Sequence, residues 1–379
     1  MNFRFTEAQQ EIIDPVRKFV DEEVWPRARE YDLRGEFPWP QWKRLAEMGY
    51  LGLPLPEEHG GRGTDHVTYI GVVEELGRGS AALALSYAIH IALVSETILR
   101  FGSEEQIGRY VPALARGEKM GAFALTEPGA GTDAAAQKTR ALRDGDYYVL
   151  NGEKCFITGG ALADVFIVTA VTDPSAGSRG ISAFIVEKGL PGFEVGEAFN
   201  KMGLRASVTN RLYFKDCRVP AENLLGQEGQ GFKMAMAALD GGRIGIAAQA
   251  VGIARAALDL ALDYAKRRQQ FGKPLASFQA IQWMLAEMAA AVEAARLLTY
   301  RAAAAADEGV RFSREAAMAK LVASDTAVAV TRKAVQILGG YGYMVEYDVE
   351  RLYRDAKITE IYEGTSEVQK MVIAASLLR

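Results

Sequence analysis

The sequence predicts an α+β multidomain protein, with an N-terminal all-α domain, a middle antiparallel β-barrel domain and a C-terminal four-helix bundle. Three changes of pattern support this order. Residues 1–118 have apolar side chains at helical spacing, and residues 119–228 contain short β-type runs separated by Gly, Pro and Asp. Residues 229–379 return to helical spacing in long Ala-rich stretches. We place the domain boundaries where these patterns change.

The N-terminal domain begins with a capped amphipathic helix. Thr6 and Gln9 fit a capping box, and the following apolar positions 12, 13, 16, 19 and 20 lie on one helical face. Trp25-Pro26 predicts a bend or an end to this helix. Residues 66–100 give two more apolar helices. The most apolar stretch, residues 81–94, is shorter than the roughly 20 residues that a membrane span requires, so we expect no stable membrane insertion.

The middle domain is predicted from short strands. Residues 147–150, Asn151-Gly152 and residues 155–157 indicate a β-hairpin, because Asn-Gly suits a type I′ turn. Further β-type runs occupy residues 165–171, 182–186 and 211–214. Several antiparallel strands in about 105 residues favour a small barrel or sandwich.

The C-terminal domain is predicted from three long helical patterns and a fourth after Thr365. The long patterns cover residues 231–268, 274–307 and 313–338. Breaks at Gly272-Lys273-Pro274 and at Gly309 separate them. Long helices with short connections indicate an up-and-down bundle.

Composition excludes several classes of function. The 379 residues carry 44 Lys and Arg against 48 Asp and Glu, a net charge of −4, so we expect no nucleic-acid partner. Two cysteines, Cys155 and Cys217, cannot form a disulfide framework, and the three histidines have no metal-ligand spacing. The acidic start lacks the apolar core of a signal peptide. We therefore expect a cytoplasmic protein of prokaryotic type, with a mature organellar chain whose transit peptide is absent as the alternative.

Three motifs are candidates for chemistry, and each has a purely structural alternative. The glycine-rich stretch 124–133 formally contains GxGxxA but lacks the βαβ context of a Rossmann fold, so it is either a surface turn or a loop that presents amides to a ligand. Gly339-Gly340 is either a helix end or a place where a ligand approaches closely. Glu363, between Tyr362 and Gly364, is either a solvated loop carboxylate or a general base whose pKa burial raises.

Taken together, the motifs resemble the acyl-CoA dehydrogenase family over essentially the whole chain. They are residues 126–133, 156–158, 268–272, 336–340 and 362–365, in this order. Residues 239–249 most resemble the short-chain (butyryl-CoA) branch. The resemblance implies FAD-dependent α,β-dehydrogenation of an acyl-CoA thioester to the trans-2-enoyl-CoA. In that reaction Glu363 removes the α-proton, and flavin N5 takes the β-hydride, which no side chain accepts.

The family motifs also imply site residues. Those that match cofactor contacts are Phe123, Leu125, Thr126, Gly131, Thr132, Phe156, Ile157, Thr158, Arg268, Gln270, Phe271, Gln279, Gln336, Gly339, Gly340, Thr365 and Glu367. Those that match substrate contacts are Thr132, Asp240, Arg243, Tyr362 and Gly364. Phe156 departs from the tryptophan that is common at its position. Some members carry the base just before the Arg243 position, but residues 240–243 contain no Glu, which leaves Glu363.

The resemblance further implies partners. It predicts electron-transferring flavoprotein as the acceptor and a homotetramer, a dimer of dimers, in which the Arg268 segment reaches a neighbour's FAD. Residues 82–95, including Leu85 and Ile89, are expected to line an acyl pocket for a short, medium or branched chain. The alternatives are an acyl-CoA oxidase or related oxygen-using flavoprotein and, in a different class, a non-enzymatic helical interaction protein.

Overall fold

The structure, a computed structural model, describes residues 4–378. Its N-terminal domain is all-α, as predicted. The helices are α1 Glu7–Phe19, α2 Trp25–Arg34, α3 Trp39–Glu47, α4 His66–Gly79, α5 Ala81–Ala88, α6 Glu96–Phe101 and α7 Glu104–Ala115. The capping box of α1 forms, because the Gln9 amide donates to Thr6 Oγ1 at 3.3 Å while Thr6 N donates to Gln9 Oε1 at 2.9 Å.

Two π-helical turns lengthen the predicted helices. Val20–Val24 joins α1 to α2, so the chain stays helical through Trp25-Pro26, and the proline lies in the first turn of α2, where its missing amide costs least. Ile89–Ser95 joins α5 to α6. The resulting helix Ala81–Phe101 has 21 residues, longer than the predicted apolar stretch, so its length does not exclude a membrane span. Its most apolar 18-residue window has a mean hydropathy of 1.7 and is 89% buried inside the protein, as a core helix is.

The middle domain is the predicted β-rich domain, although its sheet does not close into a barrel. Its strands are β1 Gly121–Ala124, β2 Arg140–Asp144, β3 Tyr147–Thr158, β4 Val165–Val171, β5 Ile181–Glu187, β6 Phe193–Ala198, β7 Thr209–Pro220 and β8 Leu224–Leu225. The order is β6-β7-β3-β2-β4-β5-β8, with β1 added to β4 in parallel. Among the described residues no pairing joins the two edge strands β6 and β8.

The predicted Asn151-Gly152 turn is wrong. Strand β3 runs straight through these residues, and the β2–β3 hairpin turns instead at Gly145-Asp146, where Gly145 supplies a φ of +59°. Gly152 is required for close packing, because a Cβ there would lie 2.6 Å from Thr139 Cα. Asn151 exchanges hydrogen bonds with Asp216 across an irregular register of β3 and β7.

The C-terminal domain is a helical bundle built around one central helix. Its helices are α8 Gly231–Arg267, α9 Gln279–Asp307, α10 Ser313–Leu338, α11 Val349–Ile358 and α12 Ser366–Leu377. The short strands β9 Gln269–Gln270 and β10 Lys273–Pro274 connect α8 to α9. Helix α10 packs against α8, α9, α11 and α12, and α8 also packs against α4 of the first domain. Helix α11 was not predicted.

Candidate active site

The loop between α11 and α12 holds Glu363 in a fixed and unusual conformation. Glu363 has a φ of +56°, which is uncommon for a non-glycine residue and is sustained only by its surroundings. Arg243 Nε and Gln369 Nε2 donate to the Glu363 carbonyl at 3.4 and 3.3 Å. Gln369 Nε2 and Lys320 Nζ both donate to the Gly364 carbonyl at 2.8 Å. Three side chains therefore hold two successive carbonyl groups of this loop.

The Glu363 carboxyl group is buried and incompletely paired. Its Oε2 has no hydrogen-bond partner within residues 4–378. It packs against helix α8 at Gly242, where a Cβ would lie only 2.3 Å from this oxygen. Burial raises the pKa of Glu363 to about 7, although the cations of Arg243 and Lys320 act in the opposite direction. A carboxyl group with a pKa near neutrality and a free oxygen is suited to accept a proton.

Arg243 links the base to the neighbouring helices. Its Nη1 donates to Asp240 Oδ1 at 2.6 Å, and Asp240 Oδ2 accepts from Ser313 Oγ at 2.5 Å. These contacts place the predicted substrate residues Asp240 and Arg243 beside the Glu363 loop. Another predicted substrate residue, Tyr362, donates a hydrogen bond from its hydroxyl group to Gln249 Oε1.

A cavity of about 570 Å³ lies alongside this part of α8. Its volume falls within the 300–1,000 Å³ that is usual for ligand pockets. It is lined by residues of α4, of the helix Ala81–Phe101, of α8 and of the α9–α10 connection. Asp240 and Gly241 line the cavity, and the next residue, Gly242, packs against the Glu363 carboxyl group. Leu85 and Ile89 are buried but do not line it, whereas Ala92 does.

The predicted flavin residues of the middle domain come together where β1 and β3 end. The Cys155 amide donates to the Thr126 carbonyl at 2.8 Å, which ties the glycine-rich loop to the Phe156–Thr158 segment. Buried Lys154 fastens the same loop, because its Nζ donates to the Leu125 carbonyl at 3.0 Å and to Glu127 Oε1 at 2.8 Å. Phe123 lies on β1, and Gly131 and Thr132 follow the Glu127–Ala130 bridge.

This surface has features that fit FAD. The Phe156 ring is 64% exposed and its backbone has a φ of +58°, so a large aromatic side chain is held out of the core. A Cβ at Gly129 or Gly131 would meet no atom within 4 Å, so the chain itself leaves open space beside these backbone amides. An exposed aromatic face beside unobstructed amides suits a planar ring and a phosphate group.

A second group of predicted cofactor residues lies at the other end of the bundle. Arg243 and Arg267 are 24 residues apart on α8, which corresponds to about 36 Å of helix. At this far end the Arg268 guanidinium lies 5.4 Å from the Tyr341 ring centre, and Phe271 is 93% exposed with a φ of +52°. Gln270, Gln279, Gln336, Gly339 and Gly340 belong to the same end. One chain therefore does not bring these residues to its own Glu363.

Thr365 and Glu367 lie between the loop and α12. Thr365 Oγ1 accepts from the Val368 amide at 3.4 Å and caps the helix, and Glu367 is exposed in its first turn. Their predicted contacts with the adenosine half of FAD stay predictions.

Sequence reasoning missed three residues that contact the Glu363 loop, namely Lys320, Gln369 and Gly242. One signal was present for Lys320, which lies between Ala316, Ala319 and Ala323 on an otherwise apolar helical stripe. Gln369 and Gly242 carried no comparable signal, because their importance depends on which loop packs against them.

Comparison with known proteins identifies the family and its fold. Family models described as the N-terminal, middle and C-terminal domains of acyl-CoA dehydrogenase match residues 6–118, 122–217 and 229–378. The short-chain specific acyl-CoA dehydrogenase of Clostridium acetobutylicum is 50% identical over 379 residues, covering 100% of both chains. A solved chain described with the electron transferring flavoprotein of Acidaminococcus fermentans has a TM-score of 0.99 at 50% identity, and butyryl-CoA dehydrogenase from Megasphaera elsdenii has 0.98 at 49%, each with 100% coverage of both chains. The chain belongs to the acyl-CoA dehydrogenase family of FAD-dependent oxidoreductases.

Proposed function

We propose that this protein dehydrogenates a short-chain acyl-CoA thioester between Cα and Cβ, with Glu363 as the base. The buried Glu363 oxygen without a partner carries the proposal, because it packs against Gly242, the residue after the cavity-lining Gly241, and because the carboxyl pKa is raised to about 7. Both the Clostridium and the Megasphaera relatives are named for short-chain or butyryl-CoA substrates. The name of the Acidaminococcus structure supports electron-transferring flavoprotein as the electron acceptor.

The residues of this chain prepare the α-proton transfer. Arg243 and Gln369 hold the Glu363 carbonyl, so the carboxyl group keeps its position while the substrate enters. The proton leaves the α-carbon and is held on Glu363 Oε2. FAD, when bound against the Phe156 surface, supplies the acceptor for the β-hydride that side chains lack. Residues 124–132 and 156–158 would hold it.

The cavity supports a thioester of coenzyme A. Its lining is mixed, with apolar residues such as Ile70 and Ile244 and two exposed arginines, Arg100 and Arg311. Apolar side chains suit the acyl and pantetheine parts, while the arginines suit phosphate groups.

We propose that a second copy of the chain completes each flavin site in a homotetramer. The Arg268–Phe271 segment is exposed and lies about 36 Å from Arg243 along α8, so it is available to a neighbour. Arg268→Ala with Phe271→Ala should lower both FAD content and mass in solution. A double variant that keeps the mass and flavin content of the wild type would contradict this arrangement. We also propose a cytoplasmic location.

Glu363→Gln tests the assignment of the base. The variant should retain FAD absorption and bind acyl-CoA, but its dehydrogenation rate should fall by at least about 10²-fold because no base remains. Initial rates with acyl-CoAs of increasing chain length identify the substrate. Anaerobic bleaching of the flavin followed by slow reoxidation in air separates a dehydrogenase from the oxygen-using alternative. Near-normal turnover of Glu363→Gln would refute the proposal.

A further inference from the structure

Lys320 is a buried cation that makes few polar contacts with the described part of the chain. Its side chain is fully buried in the first third of α10, among the buried Ala316, Ala319 and Ala323. An ammonium group in such surroundings is costly unless it is hydrogen bonded or paired with a charge. The hydrogen bond that it makes is to the Gly364 carbonyl, at 2.8 Å, directly after the proposed base.

The charges around Lys320 and Glu363 come from several helices. Lys320 faces Glu363, Asp325 and Glu360 as anions and Arg243 as a cation. Burial lowers the pKa of Lys320 to about 8, against the effect of these anions.

Glu363 in turn faces the cations of Arg243 on α8 and Lys320 on α10. The hydroxyl groups of Tyr69 on α4 and Tyr362 are also near it. Asp240 already neutralises much of Arg243 through a 2.6 Å contact. Lys320 is therefore the cation that has Glu363 as its first electrostatic partner.

We infer that Lys320 is a positioning residue for Glu363, which holds the Gly364 carbonyl by a hydrogen bond and favours the carboxylate form of the base by its charge. The inference rests on the proposed function, because it assigns Lys320 a role only if Glu363 is the base. The two contributions are separable. Lys320→Gln keeps a donor for the Gly364 carbonyl and removes the charge, whereas Lys320→Met keeps the approximate shape and removes both the donor and the charge.

The unusual backbone conformation at Gly364 explains why a hydrogen bond to its carbonyl group matters. Gly364 has a φ of +92°, and a Cβ there would lie 2.8 Å from Gln369 Nε2. Lys320 on α10 and Gln369 on α12 both donate to the Gly364 carbonyl. Without Lys320, one of the two contacts that hold this peptide is lost.

The test compares the pH dependence of kcat/KM in the flavin-loaded enzyme for Lys320→Gln, Lys320→Met and the wild type. In both variants the acid limb should move to higher pH by about one unit, since the positive charge of Lys320 acts to lower the pKa of Glu363 and is absent from both. In Lys320→Met the plateau kcat should also fall by about tenfold, because the hydrogen bond is lost. Lys370→Met is the matched control, since Lys370 is exposed on α12, and it should show neither effect.

Glu363→Gln, assayed in parallel, separates the two hypotheses. If Glu363→Gln is inactive and both Lys320 variants keep the acid limb of the wild type, the role of Lys320 is refuted. If Glu363→Gln is active, the proposed function fails instead. If Lys320→Met loses its flavin, the pH profile of Lys320→Gln decides. Loss of folding in both variants would also overturn the inference, because it would show that the lysine serves packing.

Discussion

Gly242 determines where the Glu363 carboxyl group lies, and Gly242→Ala is therefore an informative perturbation. An added Cβ would lie 2.3 Å from Glu363 Oε2 and 2.9 Å from Leu93 Cδ2. Ordinary contact begins at 3.4 Å, so the carboxyl oxygen must move by about 1 Å. A displacement of that size in a catalytic group costs about 10²-fold in rate. We expect kcat to fall by this factor.

The helix itself should tolerate this substitution. Alanine stabilises a helix interior by about 1 kcal/mol relative to glycine, which offsets part of the local repacking, so we expect flavin content to persist. Gly241→Ala is the matched control, because its Cβ would have Ala92 Cβ as its nearest neighbour, at 3.8 Å. It should change KM more than kcat, as Gly241 lines the cavity. A Gly242→Ala enzyme with the kcat of the wild type would refute the placement of the base.

Three further predictions concern the pH dependence of activity, the pH dependence of stability and the buried lysine of the middle domain. Because the pKa of Glu363 is about 7 and the base must be ionised, kcat/KM should rise with pH through about 7 and level off above it; a profile that is flat from pH 5 to 9 would contradict this. The pKa of Glu363 in the folded protein exceeds the usual 4.5, so the stability linked to this group is lost as pH rises through 7. At pH 8 the free energy of unfolding of Glu363→Gln should therefore exceed that of the wild type, by at most about 3 kcal/mol. Lys154→Met leaves the buried Glu127 carboxylate without its cation and should cost about 3–5 kcal/mol, measured by denaturant unfolding, with loss of FAD; a variant of normal stability would show that the pair is dispensable.

Local patterns predicted much of the molecule. The α1 capping box, the long bundle helices and the helix after Thr365 all depend on residues a few positions apart, so the sequence contains the interactions that form them. The turn at Gly145-Asp146 was missed because Asn151-Gly152 is a stronger hairpin signal. Gly152 of that dipeptide is needed for close packing against Thr139 on the neighbouring chain segment, which a local turn pattern does not show.

The sequence by itself determined the α–β–α order, the family and the identity of Glu363 as the candidate base, because these follow from motifs and from residue types. Only the tertiary structure decided how that base is held. Arg243, Lys320 and Gln369 come from three different helices, and the carboxyl group fits because α8 has no side chain at Gly242. Burial and opposing charges, which together set the pKa of Glu363, are properties of the packed bundle, and no spacing along the chain encodes them.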